Sequence, residues 1–315
     1  MKISIIGGAG TVGSATAFTL AIQGLAREIV MVYGPNRSRL TSHVMDISAA
    51  AAGQDMLVRA GDFEDMAGTD AVIIAAGIHF AAAAPMQEKL AANIPIIRGI
   101  ARNIERFCPA AVVVTATNPV DLLNYAIHLA TSIDRRKLIG YNLNDTIRFR
   151  MAIARAMGVE TSRVEGLVMG EHPRAPVPLF SSIRVDGRPF TGDENFRQRV
   201  RRELQNYLAS YEALKAGRTA GWTTAAGLAS LVRAIATDSG SVMSASAVLE
   251  GEYGYKSLSL GVPAVIGREG IRRIVERPLA ADEQAELETV ARRLQADGEI
   301  VRAILKNLPS GQIIS

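Results

Sequence analysis

Two short stretches of the chain hold side chains that could act together on a small acid. Asn144-Asp145-Thr146-Ile147-Arg148-Phe149 opens a helical stretch, and Gly170-Glu171-His172 ends a strand-like one. An imidazole takes and gives a proton near neutral pH, and a carboxylate beside it fixes the ring and stabilises its charged form. A guanidinium offers a two-pronged donor to a carboxylate. Asp145 and Arg148 stand three apart, so a helix puts them on one face. A His, an Asp and an Arg brought together are the groups that hydride transfer at a 2-hydroxy acid requires. Of the four histidines, His43, His79 and His128 lack a comparable frame.

A second stretch supplies the other half of such chemistry. Gly7-Gly8-Ala9-Gly10-Thr11-Val12-Gly13 follows an apolar strand and opens a helix. Glycines there permit a tight turn, close approach of a pyrophosphate to the backbone, and close helix–strand packing. Phosphates at such a turn face the positive end of the helix. Sites that bind NAD usually carry an acid at the end of the second strand, facing the ribose 2′-hydroxyl. Here Val32-Tyr33-Gly34-Pro35-Asn36-Arg37-Ser38 has none. Gly34 takes the acid's place, and Arg37 and Ser38 follow where a 2′-phosphate would lie, so NADP is the favoured cofactor and NAD the alternative.

Elements must hold these residues. Apolar runs at Lys2–Ile6, Glu28–Val32, Met56–Ala60, Ala71–Ala75, Ala111–Thr115 and Lys137–Gly140 read as strands. Between them, Thr11–Gln23, Arg39–Ala52, Ile94–Phe107 and Asp121–Thr131 read as helices. That alternation predicts a Rossmann-type, doubly wound parallel sheet of the α/β class. A change of domain is expected at Tyr141–Asn144, giving a dinucleotide-binding domain over 1–142 and a substrate domain over 143–315. The second half reads as mixed α+β. Its expected strands lie at Ser162–Met169, Ile183–Val185, Ser241–Leu249 and Val262–Ile266. Helices are expected at Glu194–Ala216, Thr223–Thr237 and Ala281–Leu305.

These motifs resemble the lactate/malate dehydrogenase family, over nearly the whole chain, and in the turn at Gly34 its NADP-accepting members. The resemblance implies that His172 is the acid/base, Asp145 its orienting carboxylate and Arg148 the anchor of the substrate carboxylate. Thr115-Ala116-Thr117-Asn118-Pro119-Val120-Asp121 is similar to the family stretch in which the asparagine, here Asn118, meets substrate and nicotinamide. By the same resemblance Thr117, Gly77 and Asn93 belong with the cofactor. Thr224, in Trp222-Thr223-Thr224-Ala225-Ala226, lies at the helix start facing the nicotinamide ring. A homodimer or homotetramer is implied, built partly on the helix holding Met45-Asp46-Ile47-Ser48.

One segment departs from the family. Its mobile loop carries two arginines, one meeting the far end of the substrate in malate enzymes and one polarising the reacting carbonyl. Anchored on Gly77 and Asn93, this chain places Phe80 and Met86 there, with no arginine in between. Phe80 cannot pair a second carboxylate, so a 2-oxo or 2-hydroxy acid with an apolar distal group fits better than oxaloacetate. His79, Gln87 and Lys89 are candidate replacements for the polarising cation. After His172 the family continues Gly-Asp, whereas Pro173 and Arg174 stand here. Arg174 has two readings, a contact to an anionic substrate or an outward-facing arginine. Malate dehydrogenase is the alternative activity, and a cofactor-binding protein with impaired turnover is the alternative of another class.

Composition bounds the rest. A chain of 315 residues with 48% hydrophobic and 21% charged residues reads as a soluble globular protein large enough for two domains. One cysteine, Cys108, precludes an internal disulfide and suits a reducing compartment. No apolar run is long enough for a membrane span and no secretory leader is legible, so a cytoplasmic protein is expected. The net charge of +4 comes without a nucleic-acid-binding motif, which argues against such a partner. No metal is expected.

Overall fold

The computed structural model describes residues 1–81, 84–214 and 220–309. The first half is β1 (Lys2–Ile6), α1 (Thr11–Ile22), β2 (Glu28–Val32), α2 (Arg37–Ala50), β3 (Leu57–Gly61), β4 (Ala71–Ile74), α3 (Met86–Phe107), β5 (Val112–Thr115), α4 (Val120–Ala130) and β6 (Leu138–Gly140). Its six strands pair in parallel in the order β3-β2-β1-β4-β5-β6. This is the doubly wound order, whose reversal between β1 and β4 opens a crevice at the carboxyl ends of the strands. The strands read as unbroken apolar runs because helices cover both faces. Ile3, Ile5, Ile73, Val113 and Val114 accordingly have no solvent exposure.

The second half is α5 (Leu143–Met157), β7 (Val164–Glu171), β8 (Ala175–Val185), β9 (Arg188–Pro189), α6 (Glu194–Ala213), α7 (Gly221–Ala236), β10 (Ser241–Glu250), β11 (Lys256–Gly267), β12 (Gly270–Ile274) and α8 (Ala281–Asn307). These strands run antiparallel, as in the pairs β10/β11 and β7/β8. They continue the first sheet through one pairing of Ser246 with Gly140, and β11 meets β7 at Gly261 and Gly170. The expected mixed second half is therefore present and fused to the Rossmann sheet. The last two positions of the expected helix Glu194–Ala216 lie outside the described residues.

Several elements exceed their expected bounds. Helix α3 begins at Met86 rather than Ile94, with Pro95 inside it. Strand β8 begins at Ala175 rather than Ile183, and β11 at Lys256 rather than Val262. Helix α5 ends on Gly158 in the left-handed conformation, a stop that glycine makes without a Cβ penalty. Among the described residues no helix is long and apolar enough to cross a membrane.

Candidate active site

Strand β6 delivers the chain to α5, and α5 carries two of the site's side chains in its first turns. Asp145 and Arg148 face the same way, with Nη1 of Arg148 3.6 Å from Oδ1 of Asp145. His172 sits in the turn between β7 and β8. Its Nδ1 lies 2.6 Å from Oδ2 of Asp145, and both side chains are almost sealed from water, at 9% and 10% exposure. Residues 27 positions apart in sequence are thus joined by one short charge-assisted contact. Burial depresses the pKa of His172, but the Asp145 carboxylate, with Asp121 behind it, outweighs that effect and leaves it raised.

Arg148 is largely buried, at 13% exposure. Its Nε is buried without a hydrogen-bond partner, and its guanidinium lies 5.4 Å from the centre of the Tyr207 ring on α6. A buried guanidinium with an unsatisfied donor is suited to an incoming carboxylate. Asn118 stands exposed between β5 and α4. Thr224 is buried on α7, where its hydroxyl accepts from Nδ2 of Asn144 at 2.9 Å and donates to the carbonyl of Ala220. Thr224 therefore ties α7 to the first turn of α5.

Asp121 is a participant that the sequence quoted without giving it a role. Its Oδ2 accepts the backbone N–H of His172 at 2.8 Å and its Oδ1 accepts the Ser246 hydroxyl at 2.5 Å. Behind them Ser259 and Asn124 complete a buried polar chain. Burial pushes the Asp121 carboxyl up to about 7, against the lowering effect of these hydrogen bonds. An acid in the first turn of a mostly apolar helix was the available signal, since buried acids need partners. Tyr207 carried no comparable signal.

At the nucleotide end, the glycine turn is where the sequence puts it. Gly7 has φ +92°, and a Cβ there would come within 2.6 Å of the backbone of Ala75. A Cβ on Gly13 would collide with the carbonyl oxygen of Gly7, so the start of α1 can lie this close to the turn only with glycine. The backbone N–H of Gly10 closes the turn on the carbonyl of Gly7 at 3.0 Å. Gly8 is buried and packs on Met31, while Thr11 stands exposed and Val12 rests on the core. These features fit a pyrophosphate lying along the backbone at the α1 N-terminus.

Gly77, Asn93 and Thr117 form one cluster beside that turn. The amide of Asn93 bonds the N–H and C=O of Ile78, at 2.8 and 3.1 Å, and Thr117 donates to the carbonyl of Ala76 at 2.8 Å. A Cβ on Gly77 would run into both side chains. Their visible work is to fix the backbone leaving β4.

The end of β2 is open. A Cβ on Gly34 would meet nothing within 4 Å. Arg37 and Ser38 begin α2 and are exposed. Arg37 stacks 4.0 Å over the Tyr33 ring and pairs with Asp62 at 2.6 Å. An acid is therefore near this turn after all, delivered from the end of β3 rather than β2.

In the departing loop, Phe80 is half-buried and His79 exposed. Met86 is the first residue of α3 and packs on the main core. Gln87 is exposed beside it. Of the two readings of Arg174, the structure adds that its guanidinium pairs with Glu171 at 2.9 Å and with Asp297 on α8.

Known proteins share this architecture. Residues 1–140 match the family described as lactate/malate dehydrogenase, NAD binding domain, and residues 143–304 its alpha/beta C-terminal domain. The malate dehydrogenase of Natronomonas pharaonis is 35% identical over 298 residues, covering 93% of this chain and 97% of that one. The L-lactate dehydrogenase 1 of Clostridium acetobutylicum is 30% identical, covering 93% and 96%. The structure of the malate dehydrogenase from Aeropyrum pernix superposes with a TM-score of 0.86 at 32% identity, covering 94% of this chain and 97% of that one. A Cryptosporidium parvum lactate dehydrogenase solved with lactic acid and nicotinamide adenine dinucleotide gives 0.87 at 27% identity, covering 98% of both chains. With a His–Asp–Arg cluster at the junction of the two halves and both family domains matched end to end, the chain belongs to the lactate/malate dehydrogenase family of nicotinamide-dependent oxidoreductases.

Proposed function

We propose that the protein interconverts a 2-oxo acid and its 2-hydroxy acid, with NADP preferred to NAD and with an apolar distal group preferred on the substrate. The observation that carries the proposal is the buried contact of His172 with Asp145, next to an arginine whose Nε has no partner. Gly7, Gly8, Gly10, Thr11, Val12 and Gly13 would hold the nicotinamide cofactor, which when bound would supply or accept the hydride. Arg148 takes the substrate carboxylate and thereby orients the reacting carbon. His172, through Nε2, donates a proton to the developing alkoxide during reduction and accepts the hydroxyl proton during oxidation. Asp145 keeps the proton of the ring on Nδ1 and stabilises the imidazolium between these events. Asn118 and Thr224 complete the substrate and nicotinamide side of the site.

Support for NADP is the open space at Gly34 with Arg37 and Ser38 beside it. The Arg37–Asp62 pair is exposed on both sides, so exchanging Asp62 for a phosphate costs little. Support for an apolar distal group is Phe80 and Met86 in the arginine positions. A second reading, malate and oxaloacetate as substrates, is favoured by the names of the relatives above. We further propose a homodimer or homotetramer. Helix α2 buries only Leu40 and Ile47, leaving Met45 70% exposed, and Trp222 of α7 is 66% exposed.

The test is His172→Asn, assayed with both reduced cofactors and a panel of 2-oxo acids. Turnover is expected to be lost on every substrate while cofactor affinity stays within about twofold, because the ring moves a proton and holds no phosphate. A variant that keeps near-wild-type turnover sinks the assignment.

A further inference from the structure

The turn that carries the acid/base is closed by two residues, Pro173 and Arg174, that depart from the family, and the fold gives the second a definite task. Glu171, at the end of β7, is 2% exposed and accepts from two arginines. Arg174 reaches it at 2.9 Å from the other side of the turn, and Arg293 of α8 reaches it at 2.9 Å as well. Arg174 also pairs with Asp297, one helical turn beyond Arg293. Between Glu171 and Arg174, the backbone N–H of His172 is fastened to Asp121. The peptide that presents the imidazole is thus gripped from α8 on one side and from α4 on the other.

We propose that Arg174 is a positioning residue for His172, which clamps the β7–β8 turn to Asp297 of α8 and so keeps the imidazole against Asp145. The proposal rests on the hydride-transfer reading for its kinetic consequence only. Arg174 touches neither Asp145 nor Arg148, so its influence passes through the backbone of the turn. If Arg174 is removed, Glu171, the more deeply buried carboxylate, still has Arg293, whereas Asp297, at 15% exposure, loses its ion pair with Arg174; Arg174→Lys, which keeps a cation there, separates the clamp from that loss.

Two variants and two readouts decide it. Arg174→Met removes the pair with Asp297, and Arg174→Lys keeps a cation there. A misplacement of the ring by a fraction of an ångström lowers kcat by about tenfold, with KM and cofactor affinity little changed. Arg174→Lys should recover most of that loss. The second readout is the titration of the His172 ring by NMR in the cofactor-free protein, which needs no turnover. The charged groups facing that ring are Asp145, Asp121 and Arg148. Removing a cation would, by charge alone, raise the pKa of a nearby imidazole. Loosening the ring from Asp145 does the opposite, and a fall of about one unit is expected. A fall in both kcat and the midpoint, reversed by lysine, supports the clamp. An unchanged or raised midpoint overturns it, as does a loss expressed in KM, which would place Arg174 on the substrate. Wild-type protein without turnover on any 2-oxo acid sinks the hydride-transfer reading instead, while the midpoint still decides the clamp.

Discussion

Replacing Asp145 by asparagine is the perturbation whose size the geometry fixes best. The carboxylate lies 2.6 Å from His172 Nδ1, and neither group can recruit water in its place. Asparagine preserves the shape and an acceptor oxygen but removes the charge. A hydrogen bond with a charged partner contributes about 1.5–3 kcal/mol, and one pKa unit corresponds to about 1.4 kcal/mol, so the pKa of His172 should fall by about one to two units. The sign follows for each direction of the reaction. Reduction of the oxo acid uses the imidazolium, so its rate is full below the raised pKa and declines as pH rises through it. The variant should begin that decline about one to two units earlier, and above both midpoints should be slower by about ten- to a hundredfold. Oxidation uses the neutral ring and should show its rise displaced in the same direction, with a lower plateau because the imidazolium is less stabilised. The contact of Asp145 with Arg148, at 3.6 Å, is longer than a hydrogen bond, so KM for the acid should change less than kcat. The assay is initial rate against pH in both directions, followed by absorbance of the reduced nicotinamide. Midpoints unmoved by the substitution, with turnover within about twofold of wild type, would refute the assignment of Asp145.

Three further outcomes are open to simple measurement. NADPH should bind more tightly than NADH in a fluorescence titration, and Arg37→Ala should narrow the gap by about 1.5–3 kcal/mol, the strength of a charged hydrogen bond; equal affinities in both proteins would remove the case for NADP. Wild-type protein should reduce a 2-oxo acid with an aliphatic or aromatic end better than oxaloacetate, and Phe80→Arg should raise kcat/KM for oxaloacetate alone, by about tenfold or more. Efficient wild-type reduction of oxaloacetate would show that another cation serves the far carboxylate. Light scattering should give a dimer or larger at micromolar concentration, and Met45→Glu should weaken it; a monomeric wild type would end the oligomer proposal.

The first half of the fold was legible because its signals are local. Strands β1 and β2 fall on their expected bounds, being short β-branched runs ended by turn residues. Prolines caused the larger differences. The expected helix began at Ile94, next to Pro95, a residue that fits the first turn of a helix better than its interior. Yet Leu90, Ile94, Ile97, Ala101 and Ile104 make one buried stripe, and packing along it carries the helix back to Met86. Pro176 and Pro178 argue against a strand, but there β8 has only β7 as neighbour, and a proline on an edge breaks no ladder bond that the sheet needs.

The site divides in the same way, by the distance over which a signal acts. Asp145 and Arg148 share a helix, and three-residue spacing puts them together before any tertiary structure is known. His172 was singled out by its Gly170-Glu171-His172 frame and by the resemblance that frame carries, not by any local spacing to Asp145. Neighbours brought by the fold could not be read. Asp62 arrives at Arg37 from β3, and a turn without acids in sequence acquires one in space. Arg174 shows the same limit more sharply. Two readings of it were open, towards substrate or towards solvent, and neither named a partner within the chain. It has two partners, Glu171 three residues before it and Asp297, 123 positions further on, brought there because α8 packs across β7 and β8. An arginine's type and neighbours fix what it can bind, namely a carboxylate, but only the packing of α8 decides which carboxylate. That choice is what the proposal that Arg174 braces His172, rather than contacting substrate, rests on.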